Sequence, residues 1–401
     1  MVGNIKSVFS SMIEYLIDSG YINFEKYFLD GTTIEANARR SSYVWKKNTN
    51  RHKNNLEENV KELFKKVDRI TEAENAEYGD EDLEELGENV VINSETIREK
   101  VEKVNQLLNE EPKNREAKKA KRKLERDYLP RMEKYEEQLE ILGERNSFSK
   151  TDPDATMMRV KPNLRDAVVK PAYNVQIGTE DQFFLGYSIH NNPVDIRVMG
   201  DHLEQVKDMV GKVPEILIAD AGYGSEENYH ILEDEDILPV VKYRGYDKKR
   251  KTEKDKYKAE NFIYDEESDS FTCPEGKQLY FDHEKEEERR TGYIVIRREY
   301  QCRDCGACPA KLLCSPNSKV GRCLTVSWEW ERYKQQAKKL LDSEEGEKLR
   351  KQCCCDVEAV FGMIKGNRQF RRFHLRGVKK VEAGMGIICI AHNILKTAAV
   401  I

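Results

Sequence analysis

The 401-residue chain is 38% hydrophobic and 35% charged, long enough for two or three domains and apolar enough to bury at least one core. Its 68 basic and 73 acidic residues leave a net charge of -5, which excludes a uniformly basic protein that coats nucleic acid. No apolar run approaches the roughly 20 residues a bilayer demands and no secretory pattern opens the chain. Ten cysteines, three of them consecutive, fit a reducing, cytoplasmic setting better than a disulfide framework.

From the N-terminus, Val8, Met12, Ile13, Leu16 and Ile17 recur at helical spacing and stop at Gly20, a natural helix end. Tyr27-Phe28-Leu29 followed by Asp30-Gly31 predicts a strand and its exit. Over residues 51–145 charge dominates, while Leu56, Val60, Leu63, Phe64 and Val67, then Val101, Val104, Leu107 and Leu108, keep helical spacing. That pattern predicts a long antiparallel helical pair with a turn between Tyr78 and Asn93. Residues 152–243 predict a compact α/β unit: strands at 173–177 and 183–189, a helix at 202–210, a strand at 215–220, a helix at 226–232 and a strand at 237–241. A polar, cysteine-bearing stretch follows, and residues 328–401 are helical with a basic middle.

Asp30 and Asp220 each end an apolar strand and precede a glycine within two residues, so the chain can turn away and leave a carboxylate at the sheet edge. A third acid, Glu358, lies in a helical stretch whose Val357, Val360, Phe361 and Ile364 form one face, with Glu358, Gly362 and Lys365 on another. Taken singly, each acid reads more readily as a turn, cap or solvated residue than as a ligand. Converging, they suit hard divalent cations such as Mg²⁺ and in-line phosphoryl transfer.

Several segments in order strengthen that convergence: Leu29-Asp30-Gly31-Thr32, Asp152-Pro153-Asp154, Tyr173-Asn174-Val175-Gln176, Ala219-Asp220-Ala221-Gly222-Tyr223-Gly224, Val357-Glu358-Ala359-Val360-Phe361-Gly362, Phe370-Arg371-Arg372-Phe373-His374 and His392-Asn393. Together they resemble the DDE-type transposases of bacterial insertion sequences. The resemblance implies an α/β, ribonuclease H-like mixed sheet flanked by helices, with Asp30, Asp220 and Glu358 as a triad binding Mg²⁺ or Mn²⁺. It implies DNA strand cleavage and strand transfer, element ends and target DNA as partners, and a homo-oligomer in the active complex. Lys365 matches the lysine that such enzymes carry seven residues after the glutamate, whereas Lys351 and Cys354 stand where a tyrosine and an arginine are usual. On this view the core comprises residues 1–50, 149–245 and 328–401, interrupted by a charged helical insertion (51–148) and a cysteine-rich, zinc-ribbon-like one (246–327). The stretch ahead of Asp30 is shorter than the family's N-terminal DNA-binding region, so a truncated, catalytically impaired DNA-binding remnant is the alternative reading.

Cys273, Cys302, Cys305, Cys308 and Cys314 fall at spacings that suit a structural Zn²⁺ held by Cys273, Cys302, Cys305 and either Cys308 or Cys314. An iron–sulfur cluster and free thiols are the alternatives. Lys365, Arg368, Arg371, Arg372 and Arg376, with Phe370 and Phe373 interleaved, form a basic run suited to DNA phosphates, or else a solvated helix end whose phenylalanines enter the core. Asp152 and Asp154 read as turn residues.

Overall fold

The computed structural model describes residues 2–78, 91–110, 112–160, 168–247, 256–289, 291–318 and 320–400. Helix α1 (Val2–Asp18) buries Phe9, Ile13 and Leu16. It closes at Gly20, whose φ of 73° is left-handed, with the Tyr21 N–H reaching the Leu16 carbonyl (2.9 Å). Strand β1 (Lys26–Glu35) follows, and its Tyr27, Phe28 and Leu29 are all fully buried. A continuous apolar run is what a strand covered on both faces requires.

The charged stretch stands on a two-stranded base, β2 (Tyr43–Trp45) paired with β3 (Ser147–Ser149). Between them run α2 (Lys46–Tyr78), α3 (Ser94–Glu110), α4 (Arg115–Lys123) and α5 (Leu129–Leu142). A π-helical turn over Leu124–Tyr128 joins α4 to α5, so the described residues form three helical rods where the periodicity predicts a pair. Local capping makes the extra break: the Asn114 carboxamide accepts the Ala117 N–H (3.0 Å), and Asn93 and Thr96 cap each other at the start of α3. The turn predicted between Tyr78 and Asn93 lies, over residues 79–90, outside the described residues. Leu56, Val60, Phe64, Ile97, Val101, Leu124 and Met132 give this unit a core of its own.

Strands β4 (Thr156–Val160), β5 (Val168–Glu180) and β6 (Phe183–His190), helix α6 (Met199–Val210), strand β7 (Ile216–Gly224), helix α7 (Glu226–Asp234) and strand β8 (Leu238–Tyr243) complete the main sheet. Its order is β6-β5-β1-β7-β8, with β4 also paired to β5. β1 runs antiparallel to β5 and parallel to β7, and β8 is parallel to β7. The β5–β6 hairpin turns through Asp181 and Gln182, both with positive φ (48° and 62°), the conformation that matches a two-residue turn to strand twist.

A second, antiparallel sheet contains β9 (Ile263–Asp265), β10 (Ser270–Thr272), β11 (Gln278–Glu288), β12 (Ile294–Gln301) and β13 (Cys323–Val326), with the short α8 (Lys311–Cys314) before β13. The polar composition suggests a stretch without a core, but Phe262, Phe271, Leu279, Tyr300, Leu324 and Val326 converge into one. Strand periodicity explains this: few apolar residues suffice when they alternate onto one face.

Helices α9 (Trp328–Leu341) and α10 (Glu344–Cys353) pack on β8 and β7. A π-helical turn (Cys354–Glu358), α11 (Ala359–Gly362) and a second π-helical turn (Met363–Asn367) continue α10, and α12 (Val378–Val400) lies on β6 and α1. Among the described residues no helix is long and apolar enough to cross a membrane.

Candidate active site

The register of the sheet places two of the acids. β1 and β7 pair in parallel from Lys26↔Ile216 to Leu29↔Ala219 and then part, so Asp30 and Asp220 are the next residues on two adjacent strands; they lie within the strands and not at the exits the apolar runs predict, because β1 runs on to Glu35 along β5 and β7 runs on to Gly224. The Asp30 carboxylate accepts the Gly31 N–H (2.8 Å) and that of Asp220 accepts the Gly222 N–H (2.6 Å). Burial pushes the Asp30 carboxyl up to about 7; the Gly31 N–H works against this, and the negative charges of Asp220, Asp195 and Glu358 add to it. Glu358, more than 300 residues away in sequence, is thus within electrostatic reach of Asp30.

Glu358 is exposed and ends the π-helical turn over Cys354–Glu358. Such a turn inserts an extra residue into a helix and re-aims the side chains around it. Two residues earlier the buried Asp356 accepts hydrogen bonds from Thr179 Oγ1 (2.6 Å) and the Gln182 N–H (3.0 Å), while Gln182 Nε2 donates to the Cys355 carbonyl (3.1 Å). These bonds clip the helix to the tip of the β5–β6 hairpin and fix where Glu358 emerges. Val357, Val360 and Ile364 anchor the opposite face in the core. Lys365 turns inward: its Nζ donates to Thr32 Oγ1 and to the Thr33 carbonyl (3.0 Å), and burial pulls its ammonium down to about 8 although Asp30 opposes the shift.

A buried polar network beneath these acids was not read from the sequence. Asp195 Oδ1 accepts from Asn174 Nδ2 and Gln176 Nε2, each at 2.8 Å. Gln176 Nε2 also donates to Asn174 Oδ1 (2.9 Å), and the Tyr223 hydroxyl donates to Gln176 Oε1. Asn174 and Gln176, two apart on β5, share one face of that strand, and this was the available signal: polar residues at alternate positions of an otherwise apolar run.

The basic run laces onto the end of β1. The Glu35 N–H donates to the Arg371 carbonyl (3.2 Å) and the Phe373 N–H to the Glu35 carbonyl (2.8 Å). Arg372 Nε donates to the Ala36 carbonyl (3.3 Å), Arg376 Nε to the Asn37 carbonyl (2.7 Å) and Arg371 Nε to the Lys365 carbonyl (3.0 Å). Arg371, Arg372 and Arg376 remain exposed and Arg368 is half-buried. Phe373 is buried and meets Phe370 edge-on at 5.3 Å, so these rings serve the core.

Cys273, Cys302, Cys305, Cys308 and Cys314 line one cavity of about 20 Å³ with Tyr257, Lys277 and Arg322. The Lys277 N–H donates to Cys273 Sγ (3.2 Å) and the Arg322 N–H to Cys305 Sγ (3.4 Å). Burial, with the neighbouring Cys305 next, raises the Cys302 thiol to about 11. Among the described residues, however, no three His, Cys, Asp or Glu side chains are grouped as a set able to hold a metal ion. A structural zinc needs about four protein ligands in a closed tetrahedron, which this arrangement does not form. Mg²⁺ makes a weaker demand: it keeps several waters and uses one or two carboxylates together with substrate phosphates. By the same measure Asp30, Asp220 and Glu358 are not grouped as a metal-holding set; what the structure gives is two neighbouring aspartates, with Asp220 and Glu358 within electrostatic reach of Asp30.

Residues 272–398 match the family model described as a transposase DDE domain. Over this stretch the chain is similar to the DDE-type transposases. The DDE-domain match contains Glu358, Lys365, the basic run and the five cavity cysteines, while Asp30 and Asp220 lie outside it. No curated protein and no solved structure matches the chain.

Proposed function

We propose that the chain is a DNA transposase that cleaves and transfers strands of an insertion sequence in a divalent-metal-dependent reaction through Asp30, Asp220 and Glu358. The observation that carries the proposal is their convergence: two aspartates side by side where parallel strands part, with a helical glutamate near enough to raise the Asp30 carboxyl. The strand order, a β6-β5 hairpin beside β1 and then β7 and β8 in parallel, supports a ribonuclease H-like core. Asp30 and Asp220 would hold Mg²⁺ or Mn²⁺, with Glu358 completing the shell. A bound divalent ion supplies Lewis-acid activation of the attacking oxygen and stabilises the leaving one.

The residues of the chain do the rest. Asp30 and Asp220 are fixed by the N–H groups of Gly31 and Gly222, which orients both carboxylates before substrate arrives. The Lys365 ammonium, anchored on Thr32 and Thr33, places a positive charge beside Asp30 and next to the path of the scissile strand. Arg371, Arg372 and Arg376 line the exit of β1, where they would meet phosphates of element ends or target DNA while Arg372 and Arg376 brace the loop at Ala36–Ala38 and Arg371 holds the Lys365 carbonyl. Synapsis of two element ends implies a homo-oligomer.

The test is cleavage of DNA carrying the element ends in Mg²⁺ or Mn²⁺. Asp220→Ala is expected to abolish cleavage while leaving DNA retained on the protein. Undiminished cleavage by that variant would rule out the triad. DNA binding without cleavage by the unaltered chain would instead support the impaired-remnant reading.

A further inference from the structure

Helix α12 turns polar residues inward and apolar ones outward. His392 and Asn393 are buried: His392 Nε2 donates to the Gln182 carbonyl (2.9 Å), and the Asn393 carboxamide accepts the Phe184 N–H (2.8 Å) and donates to the Phe184 carbonyl (2.9 Å). The next two residues, Ile394 and Leu395, are 53% and 59% exposed, and Ile387 is 55% exposed. Between positions 381 and 399 every exposed residue is apolar: Ile387, Ala391, Ile394, Leu395, Ala398 and Ala399. The two charges in that span point elsewhere, Glu382 to Lys6 Nζ (2.7 Å) and Lys396 over the Phe183 ring (5.0 Å). A helix apolar on all sides is ordinarily covered on all sides. Here β6 and α1 cover part of it and leave one face bare.

The bare face has a period. Gly384, Ala391 and Ala398 stand seven residues apart, and so do Ile387 and Ile394, the spacing of a seam that packs knobs into holes on another helix. The small row admits a close backbone, and the isoleucine row fills the space beside it. Leu375, 45% exposed and 3.7 Å from where a Gly384 Cβ would stand, lengthens the seam.

Charge sets the direction of the mate. Lys379 and Lys380 are exposed in the first turn of α12, and its last turn holds no basic residue, the reverse of what the helix's own dipole favours. In an antiparallel pair of α12 helices each lysine pair lies beside the carbonyl end of the other copy, where a cation is favoured. A parallel pair would bring four lysines together. A twofold axis near Ala391 sets Ile387 of one copy against Ile394 and Leu395 of the other, so the face is complementary to itself.

We propose that the exposed face of α12 is a contact between two copies of this chain, packed antiparallel about a twofold axis near Ala391. It gives the homo-oligomer of the proposed function a surface, and it depends on none of the acids of the candidate active site. The seam from Gly384 to Ala398 is about 21 Å long, which places the pair at the low end of specific interfaces, near about 1,000 Å² in total, and predicts micromolar dissociation.

The experiment is sedimentation velocity of the full chain, without DNA or metal, from about 1 to about 100 μM. Wild type should pass from monomer to dimer over this range. Ile387→Glu and Ile394→Lys should each weaken association about 100-fold or more, because an unpaired charge enters the seam twice. Both positions are exposed, so the melting temperature of the dilute variants should stay near that of the wild type. Mixed in equal amounts, the two variants should recover the dimer, since antiparallel packing sets the new glutamate against the new lysine and parallel packing sets each against an isoleucine. A misfolded variant would not recover. A chain that stays monomeric throughout overturns the inference, and so does a dimer that both variants leave intact. Variants that fall to monomers without recovering on mixing overturn the antiparallel pair. Monomeric protein that binds vesicles of anionic phospholipid through this face would assign it to a membrane surface and overturn the inference as well. Cleavage enters none of these measurements, so failure of the triad and failure of this contact are read separately.

Discussion

Asp30→Asn tests the electrostatics of the centre without DNA. The Asp30 carboxyl rises from 3.8 to about 7, first through burial and then through Asp220, Asp195 and Glu358. From about pH 4 to about pH 7 the folded chain therefore keeps a proton that the unfolded chain has released, so raising the pH through this window destabilises the fold. Below the window both states are protonated and no cost exists; above it both are ionised and the full cost applies. Three units at about 1.36 kcal/mol each set an upper limit near 4 kcal/mol, and solvent screening of a partly exposed group reduces this to about 2 kcal/mol. Asparagine keeps the shape and removes the charge. The assay is urea unfolding in chelator across this pH range for both proteins. Wild type should lose about 2 kcal/mol relative to Asp30→Asn between the acid and neutral ends, and Mg²⁺ at about pH 8 should restore the loss in wild type only. Asp152 and Asp356 are also raised by burial, but they contribute equally to both proteins. Profiles separated by a constant offset at every pH would refute the reasoning.

Lys365 gives the opposite sign. Its folded ammonium titrates at about 8 against 10.5, so stability should rise between those values, and Lys365→Met should flatten that rise in thermal melts at alkaline pH. Gly178→Ala would drive a Cβ into the Tyr27 ring and disturb the Tyr27–His202 hydrogen bond (2.7 Å); a loss of about 3 kcal/mol in chemical denaturation is expected. Asp356→Ala strands the Thr179 hydroxyl and the Gln182 N–H, costing about 1–3 kcal/mol, and should depress cleavage beyond that loss because Glu358 is no longer clipped in place. Chelator should leave unfolding of the cysteine-rich sheet unchanged, since Phe262, Phe271, Leu279 and Tyr300 bury its core; a lower melting temperature in chelator would show that its thiols hold a metal after all.

The amino-acid sequence by itself determined the elements and two of the places where chemistry is expected. Both strands run on past Asp30 and Asp220, to Glu35 and Gly224, but apolar runs followed by acid and glycine marked β1 and β7, and helical spacing marked the buried face behind Glu358. These are short-range properties, set by strand and helix periodicity and by turn residues. Pairing is long-range. Only the folded sheet set β1 beside β7, brought Glu358 to Asp30 across more than 300 residues, and turned Lys365 onto Thr32 and Thr33. The clip from Asp356 to the hairpin and the grip of Asn174 and Gln176 on Asp195 leave no periodic trace in the chain, because each joins residues whose neighbours in space are distant in sequence. The cysteines show the same division: their spacing is local, but whether five thiols close on one ion or merely line a cavity depends on how β11, β12 and the loops between them pack, and that is decided by the apolar side chains they share.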